Sequence, residues 1–150
     1  MSQSLSKLYT HIIFHTKHNQ NMIKTDVENE FYAYFGGILK QNKCVPIAIN
    51  GIENHVHILC IMSKNIALAD LFEELKRNSS CWIKTKGYDY SHFAWQGGYG
   101  GFSVSQSKVE VVRRYIENQK EHHKTESLEE EYIRFLKEYG IDYNEDYLWS

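Results

Sequence analysis

Apolar and polar positions first alternate from Tyr9 to His15. Thr10, Ile12 and Phe14 fall on one face and Tyr9, His11, Ile13 and His15 on the other, the period of two that marks a strand. Thr25 with Glu28 has capping-box spacing, and Val27, Phe31, Tyr34, Phe35 and Ile38 follow at helical spacing, which predicts a helix from about Asp26 to Asn42. Cys44 to Ile49 is apolar and rich in β-branched residues, and Asn50-Gly51 is the dipeptide that a two-residue hairpin turn prefers. The expected partner arm, about Ile52 to Met62, contains His55-Val56-His57, with both imidazoles on one face and Val56 and Ile58 on the other. Pro46 cannot donate to a ladder, so an open edge or a bulge is expected there.

From Ala67 the period becomes helical, with Leu68, Leu71, Phe72, Leu75, Trp82 and Ile83 on one stripe and Gly87 as the stop. Asn78-Ser79-Ser80 interrupts that stripe with small polar groups, a place for something to approach the helix closely. Phe93 to Trp95 and Tyr99 to Ser105 read as extended segments, and the glycines at 97, 98, 100 and 101 suggest a bulge or a close approach. Ser107 with Glu110 and Ser127 with Glu130 give two further capping boxes. They predict helices from Lys108 to about His123 and from Ser127 to Gly140, and the tail from Ile141 is aromatic without a period. Strand, helix, strand, strand, helix, strand is the ferredoxin-like split βαβ order. The expected class is α+β: an antiparallel sheet with helices on one face, followed by extra C-terminal helices, in one domain spanning 1–150.

Composition supports a globular chain, with 42% hydrophobic and 24% charged residues. Eleven Tyr, seven Phe and three Trp exceed what a core of this size needs, leaving rings to stack on bases or a partner. The net charge of -2 hides an asymmetry. Residues 126–150 carry eight of the 19 acids and two of the 17 bases, so residues 1–125 hold 15 bases against 11 acids, a formal +4. No acid lies between Glu74 and Asp89, where Lys76, Arg77, Lys84 and Lys86 cluster. Cys44, Cys60 and Cys81 form neither a CxxC pair nor an even framework, which fits a reducing cytoplasm. With no signal-peptide pattern and no apolar run of membrane length, a cytoplasmic protein with no membrane partner is expected.

The chemistry-bearing residues are few. His55 and His57 share a strand face, and two imidazoles at that spacing suit a divalent ion as well as a plain surface. In the helix around residue 115, Tyr115 and Gln119 lie one turn apart, beside the stripe of Val109, Val112 and Ile116. A glutamine can offer its carbonyl oxygen to a cation, or simply face solvent.

Three motifs occur in order: His55-Val56-His57, the Gly98-Tyr99-Gly100-Gly101-Phe102 strand with Ser103-Val104-Ser105, and Tyr115-Ile116 with Gln119 and His122-His123. Together they resemble the single-tyrosine HUH transposases of bacterial insertion sequences, which have REP-associated relatives. The resemblance implies an HUH endonuclease type of fold. It also implies a DNA transposase that cuts and rejoins single-stranded DNA at hairpin-marked ends through a 5′-phosphotyrosine. Tyr115 would be the nucleophile. His55, His57 and Gln119 would hold a divalent cation, Mg²⁺ or Mn²⁺, on the scissile phosphate. The implied assembly is a homodimer in which the tyrosine helix of one subunit completes the histidine site of the other, with the glycine-rich segment as a hinge. The phenol, with an ordinary pKa of about 10, needs help to ionise, from a nearby cation or a metal-bound water. The backbone of a single-stranded DNA hairpin is assigned to Lys17, Lys76, Arg77, Lys84 and Lys86. His122 and His123 read as extra ligands, phosphate contacts or helix-end residues, and His11, His15, His18 and His92 as surface or packing. Two alternatives are a catalytically silent nucleic-acid-binding regulator and a metal-dependent phosphoesterase in which water attacks.

Overall fold

The structure is a computed structural model that describes residues 2–149. Four strands, β1 (Leu8–His15), β2 (Val45–Ile52), β3 (His55–Met62) and β4 (Gly100–Val104), form an antiparallel sheet in the order β2-β3-β1-β4. Helix α1 (Glu28–Gln41) connects β1 to β2 and α2 (Leu68–Lys84) connects β3 to β4. The ferredoxin-like α+β architecture expected from the order of elements is thus present.

The pleat decides what each face of the sheet does. Ile13 pairs with His57 and His15 with His55, while Ile12 pairs with Ile58 and Phe14 with Val56. Side chains opposite one another share a face. Ile12, Phe14, Val56 and Ile58 therefore meet α1 and α2 in the main core, where Phe14 packs edge-on against Phe35 at 5.6 Å and Trp95 at 4.7 Å between ring centroids. His11, His15, His55 and His57 occupy the opposite face, and all four are buried. That face is covered by α3 (Val109–Glu117) and the short α4 (Gln119–His122), which lie over β2 and β3. Helix α5 (Leu128–Glu138) seats Tyr132, Phe135 and Leu136 on Ile13 and Phe102. The C-terminal helices are thus the second layer that turns the histidine face into an interior.

Several local expectations resolve differently. Asn50-Gly51 is not the hairpin turn: β2 runs on to Ile52, which pairs with His55, and the turn is Glu53-Asn54. Long-range hydrogen bonds hold this turn: the backbone amides of Met22 and Ile23 donate to the Glu53 carbonyl and that of Thr16 to the Asn54 carbonyl. Gly51 has another task, because a Cβ there would lie 2.0 Å from the His55 carbonyl oxygen. Asn50 does too: its Nδ2 donates to the carbonyls of Ile116 and Glu117 at 3.0 and 3.1 Å, tying the end of α3 to the sheet. The ladder shifts register between Pro46 and Ala48, as the proline requires.

Of the three capping boxes only Ser127 with Glu130 forms. Helix α1 starts at Glu28 behind Val27, and Glu28 pairs with Lys120 at 3.2 Å. A single 3-10 turn, Gln106–Lys108, leads into α3, and Glu110 turns to Arg113 instead. The expected 108–123 helix breaks at Asn118 (φ -98°, ψ 17°). Gly140, at φ 64°, lets the chain leave α5 in the left-handed conformation. The small residues in α2 are explained by Trp95, whose Nε1 donates to Ser79 Oγ at 2.9 Å. The aromatic tail folds back on its own chain: after α6 (Glu145–Leu148), Trp149 lies 5.4 Å from the His15 ring and 5.7 Å from Tyr132. Among the described residues no helix is long and apolar enough to cross a membrane.

Two substitutions test this account. Gly51→Ala forces the hairpin backbone apart and is expected to cost about 1–3 kcal/mol, read as a lowered urea midpoint. Asn50→Ala strands two carbonyls at the end of α3 and is expected to cost about 1–2 kcal/mol, with faster hydrogen exchange concentrated in residues 112–118.

Candidate active site

The site forms where the β3 histidines meet α3, α4 and α5, and its centre is a residue that sequence reasoning missed. Glu131, one turn into α5, has a fully buried carboxylate. Its Oε1 lies 2.8 Å from His57 Nε2, 3.2 Å from His55 Nε2 and 3.2 Å from His123 Nε2. Its Oε2 accepts from the Tyr115 hydroxyl and, at 3.2 Å, from Gln119 Nε2. Gln119 Oε1 stands 3.2 Å from His55 Nε2 and 3.0 Å from His123 Nε2. Tyr115, Gln119, His55 and His57 are therefore brought together, and a carboxylate joins them.

Each side chain owes its position to a local feature. The pleat delivers His55 and His57 to the same side. His55 Nδ1 donates to Asn54 Oδ1 at 2.9 Å, and His57 Nδ1 meets His11 Nε2 at 2.8 Å, so the turn and the neighbouring strand orient both rings. His11, read as packing in the sequence, is a partner of the site; the register Ile13 with His57 was the only available signal, since it puts His11 two residues away on the same face. The break at Asn118 sets Tyr115 and Gln119 on separate helices facing one carboxylate. The Ser127 cap fixes the start of α5 and hence the placement of Glu131. Glu131 escaped notice because it sits in an acidic run, Glu129 to Glu131, whose other members are not buried.

Charge distribution follows from burial. Water is excluded from Glu131, which works against its charge, but His57, His123 and His55 outweigh that and hold the carboxyl far below its usual range. Glu131 is a carboxylate. Burial pushes His55 down to about 4, so that ring is neutral, whereas burial of His123 is overcome by its contact with Glu131 and its pKa rises. Burial raises the pKa of Tyr115 and the Glu131 carboxylate raises it further. Arg134 opposes them: its guanidinium donates to the Tyr115 oxygen at 2.9 Å and lies 5.6 Å from the ring centroid. Here Tyr115 is a phenol with a cation poised on its oxygen.

The donor atoms of His55, His57, His123 and Glu131 all lie within 4.8 Å of one another. Imidazole nitrogens with a carboxylate oxygen are a donor set that fits a divalent ion. The cationic residues assigned to DNA lie elsewhere. Lys76, Arg77 and Lys84 belong to α2, and Lys86 follows it, on the sheet face opposite the histidines. Lys76 Nζ donates to the carbonyls of Gln96 and Gly98 at 2.7 and 2.6 Å, and burial pushes its pKa down to about 8. Arg77 pairs with Glu73 and Glu74, and Lys86 with Glu30. Lys17 is exposed in a 3-10 turn after β1. Within one chain, Tyr115 reaches the Glu131 carboxylate that the β3 histidines share.

Comparison with known proteins places this geometry. The profile of the family described as "Transposase IS200 like" matches residues 4–119, a span that includes both β3 histidines, Tyr115 and Gln119. A solved structure of a candidate transposase from Deinococcus radiodurans R1 superposes with a TM-score of 0.61 at 23% identity, covering 79% of this chain and 98% of that one. A REP-associated tyrosine transposase, solved bound to a REP hairpin, superposes with a TM-score of 0.60 at 10% identity, covering 82% of this chain and 74% of that one. No functionally curated protein matches the chain. At these identities the two structures speak for the fold, and the family match covers well over half of the sequence. The chain belongs to the IS200-like transposase family.

Proposed function

We propose that the protein cuts and rejoins single-stranded DNA at hairpin-marked ends, with Tyr115 as nucleophile and a divalent cation held at His55, His57 and Gln119. The observation that carries this reading is the convergence of Tyr115, both histidines and Gln119 on one buried carboxylate, in a member of a transposase family. A phosphodiester resists attack because its charge repels a nucleophile, so catalysis rests on neutralisation and placement. A bound divalent ion, Mg²⁺ or Mn²⁺, would supply positive charge on the scissile phosphate.

The chain's own residues supply the remainder. Tyr115 Oη forms the bond to phosphorus as the bond to the 3′-oxygen breaks, leaving a 5′-phosphotyrosine and a free 3′-hydroxyl. Arg134, already donating to Tyr115 Oη, stabilises the phenolate that attacks and later departs. His122 Nε2, 3.1 Å from the same oxygen, helps hold it in place. The linkage conserves the phosphodiester energy, so another 3′-hydroxyl can resolve it without ATP. An exposed aromatic group such as Tyr88 could stack on an unpaired base.

The native protein, given a hairpin-bearing single strand and Mn²⁺, is expected to yield a covalent adduct on a denaturing gel. Tyr115→Phe is expected to remove it, a loss of at least about a thousandfold in rate. Cleavage by Tyr115→Phe without an adduct would identify water as the attacking group, and binding without cleavage by the native chain would identify a regulator. A homodimer in which the tyrosine helix of one subunit completes the histidine site of the other is part of the reading. A mixture of Tyr115→Phe and His57→Ala chains is therefore expected to recover adduct, while a mixture that stays inactive would establish that each tyrosine acts at its own chain's histidines.

A further inference from the structure

His123 and Glu131 lie beyond residue 119, where the family match ends, yet they stand inside the histidine cluster. The ring orientations are informative. His123 Nδ1 is 2.8 Å from the backbone carbonyl of Glu126, which can only accept, so the proton of that ring sits on Nδ1. His55 Nδ1 likewise donates to Asn54 Oδ1, and His57 Nδ1 is engaged with His11. In all three rings the nitrogen facing away from the cluster is held by an outside partner, and Nε2 points at Glu131 Oε1. An outer hydrogen bond that fixes the ring and aims the other nitrogen inward is the arrangement found in metal-ligating histidines.

The spacing agrees. Four donors bound at about 2.0–2.1 Å around one ion stand roughly 3.3 Å apart. Glu131 Oε1 is 2.8, 3.2 and 3.2 Å from the three Nε2 atoms. Gln119 has a competing task, because its amide nitrogen donates to Glu131 Oε2 and so braces the carboxylate.

We propose that His123 and Glu131 are ligands of the divalent ion together with His55 and His57, and that Glu131 links ion and nucleophile, Oε1 facing the ion and Oε2 holding the Tyr115 hydroxyl. This rests on the metal-assisted reading above and revises its ligand set, with His123 and Glu131 taking the place given there to Gln119. Gln119 becomes a positioning residue. Three imidazoles and one carboxylate favour Co²⁺ or Zn²⁺ most, and Mn²⁺ still over Mg²⁺.

The test is calorimetric titration of the full chain, stripped with a chelator, with Mn²⁺ alone and with Mg²⁺ alone. Mn²⁺ is expected to bind at least about tenfold more tightly than Mg²⁺. His123→Ala and Glu131→Gln are each expected to weaken Mn²⁺ by roughly tenfold or more, and Gln119→Ala by less than about threefold. Tyr115→Phe, which leaves every proposed ligand in place, should bind Mn²⁺ as the native chain does. Loss of binding in Gln119→Ala with His123→Ala and Glu131→Gln unchanged would overturn the proposal while leaving the metal reading intact. Absence of Mn²⁺ binding by the native chain would remove both, and the adduct assay would then show whether tyrosine chemistry stands without an ion. A crystal of the native chain grown with Mn²⁺ decides the matter even if a variant misfolds. An anomalous peak within bonding distance of His123 Nε2 and a Glu131 oxygen is expected, and one bonded to His55, His57 and Gln119 alone would refute the proposal.

Discussion

A carboxylate with no access to water would be costly unless its charge were answered within the fold, and Glu131 is answered from every side. Three imidazoles face one of its oxygens, and a phenol and an amide donate to the other. Removing such a charge from water costs several kcal/mol even after relaxation, so its partners have to arrive in the right place or the helix that carries it would not dock. The C-terminal layer is thereby specified by polar geometry as much as by the apolar contacts of Tyr132, Phe135 and Leu136. One residue locks the second layer onto the sheet and also gathers the reactive groups.

The two faces of the sheet divide the labour. The face under α1 and α2 is a dense aromatic and aliphatic core, into which Trp95 brings its indole to serine contact. The other face carries histidines at alternate positions on β1 and β3, and it becomes an interior only because α3 to α5 cover it. Stability and chemistry are thus separated by the thickness of one strand. The side chains facing α1 and α2 support the strands that carry the histidines, which lets the histidine face hold polar groups that a single-core protein would reject.

The architecture was legible because it rests on periodicity and order. Alternation on β1, the proline bulge on β2 and the helical stripe of α2 all read correctly, since each depends on local spacing. The errors were of another kind. Asn50-Gly51 has turn chemistry, but the backbone ties from Thr16, Met22 and Ile23 placed the turn at Glu53-Asn54, three residues later, and no local pattern reports a contact made from about 30 residues away. The capping boxes at Thr25 and Ser107 failed because Glu28 and Glu110 had better partners in Lys120 and Arg113. Tyr115, Gln119, His55, His57 and the His122-His123 pair were read from motifs, whereas Glu131, His11 and Arg134 join them by tertiary placement. A buried glutamate within an acidic run looks like a solvated helix start until the fold is known.

The order of the groups along the chain has a temporal consequence. His55 and His57 are made early, Tyr115 and Gln119 some sixty residues later, and Glu131 after that, on a helix that must first acquire its Ser127 cap. The sheet can assemble once β4 is available, near residue 104, but the reactive cluster closes only after residue 131 has been added and α5 has docked. During synthesis the chain therefore passes through a folded sheet whose histidines still lack the helix that carries Glu131. By this arrangement a transposase-family chain cannot assemble the buried cluster before α5 is in place.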